Sequence, residues 1–272
     1  MTKNLVFTSC GDNTSFDLLW LHPIKMNFDI YIIYYGECPE IFKRYYENEC
    51  INIITIRKGS KFQNFKYFYD TFNYIIKQYE YFFILDDDII FNVDDINQMF
   101  IISKQYNLSI CGPSFKPESK ISHDITIQKP NVEISYTNFV EVNVPLFSFA
   151  ALVTFMNFYD GSLIGWGIDY LYINVCGLNN TDSYAIVHIV SCINPHANFK
   201  KYKRRELTLI DGFESRKREW FEYAESKDYK TSYKKIEYKT IMIDDSENEL
   251  VSKENRKFTI TIKSNQNENK QE

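Results

Sequence analysis

Three consecutive carboxylates, Asp86-Asp87-Asp88, close the apolar run Tyr81-Phe82-Phe83-Ile84-Leu85. A run this rich in aromatic and aliphatic residues predicts a buried β-strand. The three charges then stand at the mouth of a low-dielectric core, where they repel one another and need a counter-charge. A divalent ion with hard oxygen ligands, Mg²⁺ or Mn²⁺, meets that need. If the strand continues through the triplet, its period of two puts Asp86 and Asp88 on one face, for a metal carrying a diphosphate, and Asp87 on the other. The alternative is an acidic strand end near the next helix cap, for which Asp94 is the better candidate. Two further groups have chemical potential. In Gly165-Trp166-Gly167-Ile168-Asp169 the glycines allow close approach of backbone to a ligand, and Trp166 offers a flat face to a sugar. Asp169 is either a base for an acceptor hydroxyl or the cap of the following helix. Lys58-Gly59-Ser60-Lys61, with Asn64, precedes a long helix; its amides and two lysines suit a phosphate or a uracil edge, or form a solvated basic loop.

These groups must be held by a frame, and the first half of the chain supplies one. Strand-like segments at 5–9, 28–35, 51–56, 81–90 and 108–111 alternate with helix-like segments at 14–21, 39–46, 63–80 and 94–106. In the long helix, Phe65, Phe68, Tyr69, Phe72, Ile75, Ile76 and Tyr79 follow one amphipathic face. This rhythm predicts an α/β fold with a doubly wound, mainly parallel sheet flanked by helices. Ligands then bind beyond the carboxyl ends of the strands, where Gly11-Asp12, Arg57-Lys58 and the acidic triplet converge. The second half reads as a smaller mixed region. It has a strand at 140–144, a helix at 148–159 capped by Ser148, a loop at 161–167, a helix at 168–175 and a strand at 184–190. Asp211-Gly212-Phe213-Glu214 resembles a capping box opening a charged helix to about 228. The expected organisation is one domain over 1–243, with its nucleotide-binding half about 1–115 and its acceptor half about 116–243. A polar, flexible tail follows at 244–272, carrying one weak strand at 257–263 and disorder from 264.

Composition narrows the class. A net charge of −5 argues against a general nucleic-acid binder, which needs basic surface, but leaves room for a local basic pocket. The basic run Lys200-Lys201-Tyr202-Lys203-Arg204-Arg205 could close over a diphosphate or touch an anionic membrane or polymer surface, though most such runs are solvated surface. Asn, Ile, Lys, Tyr and Phe are abundant, which points to biased base composition and lowers the weight of any single aromatic. None of the six cysteines forms a C-x-x-C pair, so buried reduced thiols are expected. Met1-Thr2-Lys3-Asn4-Leu5 runs into a strand without a signal-peptide core, and no apolar stretch approaches the roughly 18 residues of a membrane span. A soluble, cytoplasmic protein is expected.

The chain resembles the GT-A-fold glycosyltransferases. The resemblance is carried by Phe82-Phe83-Ile84-Leu85-Asp86-Asp87-Asp88 and, about eighty residues later, Gly165-Trp166-Gly167-Ile168-Asp169. Phe139-Val140-Glu141-Val142, Pro145-Leu146-Phe147-Ser148 and Ala185-Ile186-Val187-His188 stand in the same order as in an uncharacterised plant and bacterial GT-A-like family. Single-domain glycosyltransferases of large DNA viruses look similar, which would place the protein in host cytoplasm and in viral glycosylation. The resemblance covers roughly 4–200. It implies a UDP-sugar donor, a saccharide acceptor and Mn²⁺ or Mg²⁺, with His188 favouring Mn²⁺. It implies that Asp88 ligates the metal, that Asp86 meets the donor ribose or metal-bound water, and that His188 adds a second ligand. Thr8, Ser9 and Asp12 would grip the base, Lys58 or Lys61 the nucleotide, and Asp86 and Asp87 belong to the same donor side. Asp169 would be the base of an inverting transfer, Trp166 and Gly167 would meet the sugar, and Glu141 would bind acceptor hydroxyls or brace its loop.

Other classes are weaker. A sugar-phosphate nucleotidyltransferase needs a Gly-rich basic loop after the first strand, where this chain has Cys10-Gly11-Asp12-Asn13-Thr14. A non-catalytic carbohydrate- or nucleotide-binding module would use the same fold without turnover. A metal-dependent donor hydrolase is the remaining alternative.

Overall fold

The computed structural model describes residues 4–195, 208 and 210–244. Its frame is a nine-stranded sheet of β1 (Asn4–Cys10), β2 (Phe28–Tyr34), β3 (Ile51–Ile56), β4 (Tyr81–Asp86), β5 (Ile110–Phe115), β6 (Val132–Thr137), β7 (Leu146–Ser148), β8 (Tyr184–Cys192) and β9 (Glu237–Met242). Across the sheet the order is β3-β2-β1-β4-β7-β5-β8-β6-β9. β3, β2, β1 and β4 pair in parallel, as do β5 and β8. β7 runs antiparallel between β4 and β5, and β6 is antiparallel to β8 and β9. The mainly parallel sheet covered by helices is the architecture the sequence predicts. No helix among the described residues is long and apolar enough to cross a membrane.

Period two sends the central strands into two cores. Val6 and Cys10 of β1 and Phe83 and Leu85 of β4 pack with Phe16, Trp20, Ile96 and Met99 on one side. Leu5, Phe7, Phe82 and Ile84 meet Phe62, Phe65 and Phe68 on the other. Burial on both faces is why β1 and β4 read as near-continuous apolar runs. Asp86, next in the alternation after Ile84, therefore turns toward the side of α3 (Lys61–Thr71). Of the six cysteines, all free, Cys10, Cys111 and Cys192 are buried and Cys38, Cys50 and Cys176 half-buried.

Several elements differ from expectation. β4 ends at Asp86, and Asp87 and Asp88 lie in a turn, so the period-two placement of Asp86 and Asp88 on one face does not hold. The helix expected at 63–80 is two: α3 starts at Lys61, its Ser60 N–H donating to Gln63 Oε1, and the chain leaves helical geometry at Phe72 before α4 (Asn73–Ile76). The first helix shrinks to α1 (Phe16–Leu19), while α2 (Pro39–Tyr46) stands where Pro39 predicts it. Asn92, whose side chain accepts from Asp95 N–H, caps α5 (Val93–Gln105) in place of Asp94. The segment 140–144 is a turn, and the strand there is β7. Ser148 does cap α6 (Phe149–Phe158), and α7 (Ile168–Cys176) follows the glycine turn. α8 (Arg216–Ser226) starts after the 211–214 turn, so no capping box opens it. The strand at 257–263, the polar tail from 245 and the basic run 200–205 lie outside the described residues.

Gly167 enters α7 with φ of 85°, and a Cβ there would stand 2.2 Å from the buried Trp220 ring of α8. Gly165 has φ of 77° with nothing within 4 Å of such an atom. The turn's glycines thus differ in what they permit. Gly167→Ala should lower stability by about 3 kcal/mol, from backbone strain plus overpacking. Gly165→Ala should cost about 1 kcal/mol, from strain alone. Paired denaturant titrations read the difference, and equal losses would contradict this packing.

Candidate active site

The strand-end carboxylates do not point together. Asp86 Oδ1 lies 2.8 Å from Lys61 Nζ. Lys61 also donates to Val142 O at 2.7 Å, Asn143 O at 2.9 Å and Ile84 O at 3.2 Å. Burial pushes this ammonium below the ordinary lysine value, against the pull of Asp86, Asp88 and Asp87. Asp87 turns the other way: Oδ2 accepts from Gly11 N–H at 3.0 Å and from Tyr35 OH at 3.2 Å. Its carbonyl accepts from Ser15 N–H and the Thr14 hydroxyl. Asp87 therefore ties the β1 and β2 ends to the triplet. Asp88 is half-buried in the turn beyond.

The other donor-side residues are drawn to the same edge, each with a structural partner. Thr8 Oγ1 donates to Leu85 O at 2.9 Å, and Ser9 Oγ accepts from Asn64 Nδ2 at 2.6 Å. Asp12 accepts from Tyr34 OH and from the Glu37 and Cys38 amides. Partial burial raises its pKa, but those three bonds prevail and hold the carboxyl below the usual range. Lys58 reaches Tyr35 O at 2.6 Å and Glu37 Oε1 at 2.8 Å on the surface. In this structure Thr8, Ser9, Asp12, Lys58 and Lys61 brace the strand ends.

A second group of acids stands beside the first. The loop before β7 is pinned to β4: Asp86 N–H donates to Asn143 O and Ile84 N–H to Pro145 O, both at 3.0 Å. This brings in Glu141, 4% exposed, whose Oε1 accepts from Asn143 Nδ2 at 3.1 Å and whose Oε2 is buried with no hydrogen-bond partner. Burial, then the charges of Asp169 and Asp86, push its carboxyl up to about 8, against the nearby Ser122 and Thr126 hydroxyls. Asp169, 6% exposed in the first turn of α7, accepts from Tyr170 N–H at 3.0 Å. Burial raises it to about 6, with that amide and Lys235 pulling down. Near neutral pH Asp169 is thus mostly a carboxylate and Glu141 mostly an acid, the division that separates a base from a donor. Trp166 is 43% exposed at the turn, with Lys217 Nζ 5.4 Å from its ring centre. The backbone of Gly167 approaches Trp220 of the protein's core.

His188 is not brought to the triplet as a ligand. Its Nδ1 accepts from Lys129 N–H at 3.2 Å and its Nε2 lies 3.1 Å from Ser135 Oγ on β6. Burial, then Lys129, lowers it to about 4, which describes a satisfied core imidazole. Among the described residues no group of three or more His, Cys, Asp or Glu side chains is arranged to hold a metal. Asp86 and Asp88 are hard oxygen donors of the kind Mg²⁺ or Mn²⁺ takes, though Asp86 is already engaged by Lys61, and His188 is engaged elsewhere. Lys235 and Asn143 are site residues that the sequence did not disclose. Lys235 follows no motif and enters through β6–β9 pairing, and Asn143 acts through its main chain.

Residues 17–137 match a family described as a protein of unknown function (DUF707), a span that holds the acidic triplet and Lys61 and stops before Glu141 and Asp169. No curated protein matches the chain. Among solved structures, S. aureus TarS is similar with a TM-score of 0.48 and 9% identity, over 72% of this chain and 37% of that one. TarS 1–349 from the same organism, in complex with UDP-GlcNAc, gives 0.48 and 10% over 80% and 65%. In complex with UDP it gives 0.43 and 10% over 71% and 59%. This chain covers less than two thirds of each of these three chains.

A carboxyl whose pKa is raised by folding favours the fold while protonated, and that advantage is lost as pH rises through the folded value. For Glu141 the window runs from the ordinary glutamate range up to about 8. Glu141→Gln should therefore gain stability relative to wild type as pH climbs from about 5 to about 8, levelling above. Denaturant midpoints of the pair across that range test it; a constant difference would refute the buried, protonated Glu141.

Proposed function

We propose that this protein is a metal-dependent glycosyltransferase that moves a sugar from a UDP-linked donor to a hydroxyl of a saccharide acceptor. The observation that carries the reading is the pair of buried acids, Asp169 and Glu141, set beside strand-end carboxylates at the carboxyl edge of a parallel sheet. The motif order that resembles GT-A enzymes supports it.

In this reading Asp169 takes the acceptor proton as the hydroxyl oxygen forms its bond to the anomeric carbon. The bond from that carbon to the diphosphate oxygen breaks, and the nucleoside diphosphate leaves with the electron pair. Inversion follows from single displacement. A base whose pKa lies just below neutrality is ionised yet still basic enough to accept a proton. Glu141, protonated, would donate a hydrogen bond to an acceptor oxygen. Asp88 and Asp86 would hold Mn²⁺ or Mg²⁺, which when bound offsets the charge gathering on the leaving diphosphate. Trp166 offers its exposed ring to a sugar face.

Calorimetric titration of UDP in Mn²⁺ should give binding that EDTA abolishes and Asp88→Ala removes. Absence of binding by the wild type in Mn²⁺ would take UDP out of the reading. With a donor found by released UDP, Asp169→Asn should lower kcat by about 10²–10⁴-fold while UDP affinity holds. The wild-type rate should rise with pH through about 6 as Asp169 ionises. Binding without turnover on any UDP-sugar and acceptor would leave a nucleotide-binding module instead.

A further inference from the structure

The segment ahead of β9 is fastened to both elements that carry the buried acids. Asn138, just before the Glu141 loop, donates through Nδ2 to Lys234 O at 2.9 Å and accepts from Ile236 N–H at 2.8 Å. Asn174 of α7 accepts from Lys230 N–H at 2.9 Å and donates to Lys230 O at 3.0 Å. Trp220 Nε1 donates to Thr231 O at 3.0 Å. Between these anchors Lys235 Nζ lies 4.5 Å from the Phe139 ring centre, 5.5 Å from that of Tyr170 and 3.3 Å from the Tyr170 hydroxyl. None of the ion pairs among the described residues includes Lys235. Aromatic faces attract an ammonium without cancelling its charge.

We infer that Lys235 is a positioning residue for Asp169, a cation held by the Phe139 ring and by the ring and hydroxyl of Tyr170, the residue next to Asp169. The inference rests on Asp169 being the base proposed above. The groups bearing on Asp169 are Glu141 from the β7 loop, Tyr172 from its own helix, and Tyr233 and Lys235 from the segment before β9. Three of them are acids whose own ionisation the charge of Asp169 opposes. Lys235 is the cation that favours the ionised form of Asp169. His123 stands edge-on to Phe139 at 4.7 Å and is held neutral by burial and by Lys235 itself. Asp169 and Glu141 are buried alike; at Asp169 the Tyr170 amide and then Lys235 favour the charge, whereas at Glu141 the charges of Asp169 and Asp86 oppose it.

The full chain carrying Lys235→Met, and separately Lys235→Arg, should be titrated by carbon-13 NMR, the Asp169 carboxyl being identified by its loss in Asp169→Asn. Lys235→Met should raise the Asp169 midpoint by about one unit, and Lys235→Arg should leave it near wild type. The pH profile of UDP release should move upward in step. An unmoved midpoint in folded Lys235→Met protein overturns the inference. Should that variant not fold, Tyr170→Phe keeps the ring but removes the hydroxyl tether, and a smaller upward shift is expected; no shift there also overturns it. Transfer retained by Asp169→Asn would instead sink the base assignment, whatever the midpoint does in the Lys235 variants, so the two failures read differently.

Discussion

Lys61 carries the first residue of α3 into the sheet edge, where its ammonium is divided among Asp86 and the carbonyls of Ile84, Val142 and Asn143. Its side chain is 10% exposed, too deep for an unpaired charge. Three donors meeting four acceptors resolve that problem only when β4, the start of α3 and the loop before β7 arrive at one point. Everything near the triplet inherits this condition. Asp86 is held by its counter-ion, the Asn143 backbone by both Lys61 and Asp86 N–H, and Glu141 by its place two residues earlier. The antiparallel insertion of β7 between parallel β4 and β5 is the topological form of the same constraint, because it returns the chain to the β4 carboxyl end.

Two nearby buried carboxyls resist ionising together, since each charge raises the cost of the other. The protein lets one ionise and keeps the other protonated. Around Glu141, burial and the charges of Asp169 and Asp86 oppose ionisation and outweigh the Asn143 amide on one oxygen and the nearby Ser122 and Thr126 hydroxyls. Asp169 is at a helix start, where an amide donates to it and the peptide dipoles favour negative charge. Asymmetry of surroundings, not of residue type, makes an acid and a base from two like side chains.

The first half of the fold was legible because its signals are local. Buried strands announce themselves as apolar runs, Pro39 marks the start of α2, and the carboxyl ends of β1, β3 and β4 follow from the βα rhythm. Among the later strands β8 was legible at 184–190, but β6 and β9 were not. β6 (Val-Glu-Ile-Ser-Tyr-Thr) and β9 (Glu-Tyr-Lys-Thr-Ile-Met) are short, partly exposed and polar, and they become strands by pairing with each other and with β8. Lys235 was missed for that reason: nothing around it is unusual until β6 and β9 meet. The triplet was found, but its geometry was misjudged. A strand that stops at Asp86 sends Asp87 to Gly11 and Tyr35 instead of continuing an alternation. His188 had no sequence sign of its partners, since Lys129 N–H and Ser135 belong to the unanticipated β6 region.

The Gly165-Trp166-Gly167 turn shows how one local geometry serves two ends. Gly167 must lack a side chain because Trp220 fills the space, and its left-handed backbone starts α7 at once. That start buries Asp169 two residues later. Trp166, on the same turn, has its ring 43% exposed. Trp166 and Asp169 stand three residues apart at the start of α7, so the geometry that buries the carboxylate also sets where the ring is displayed.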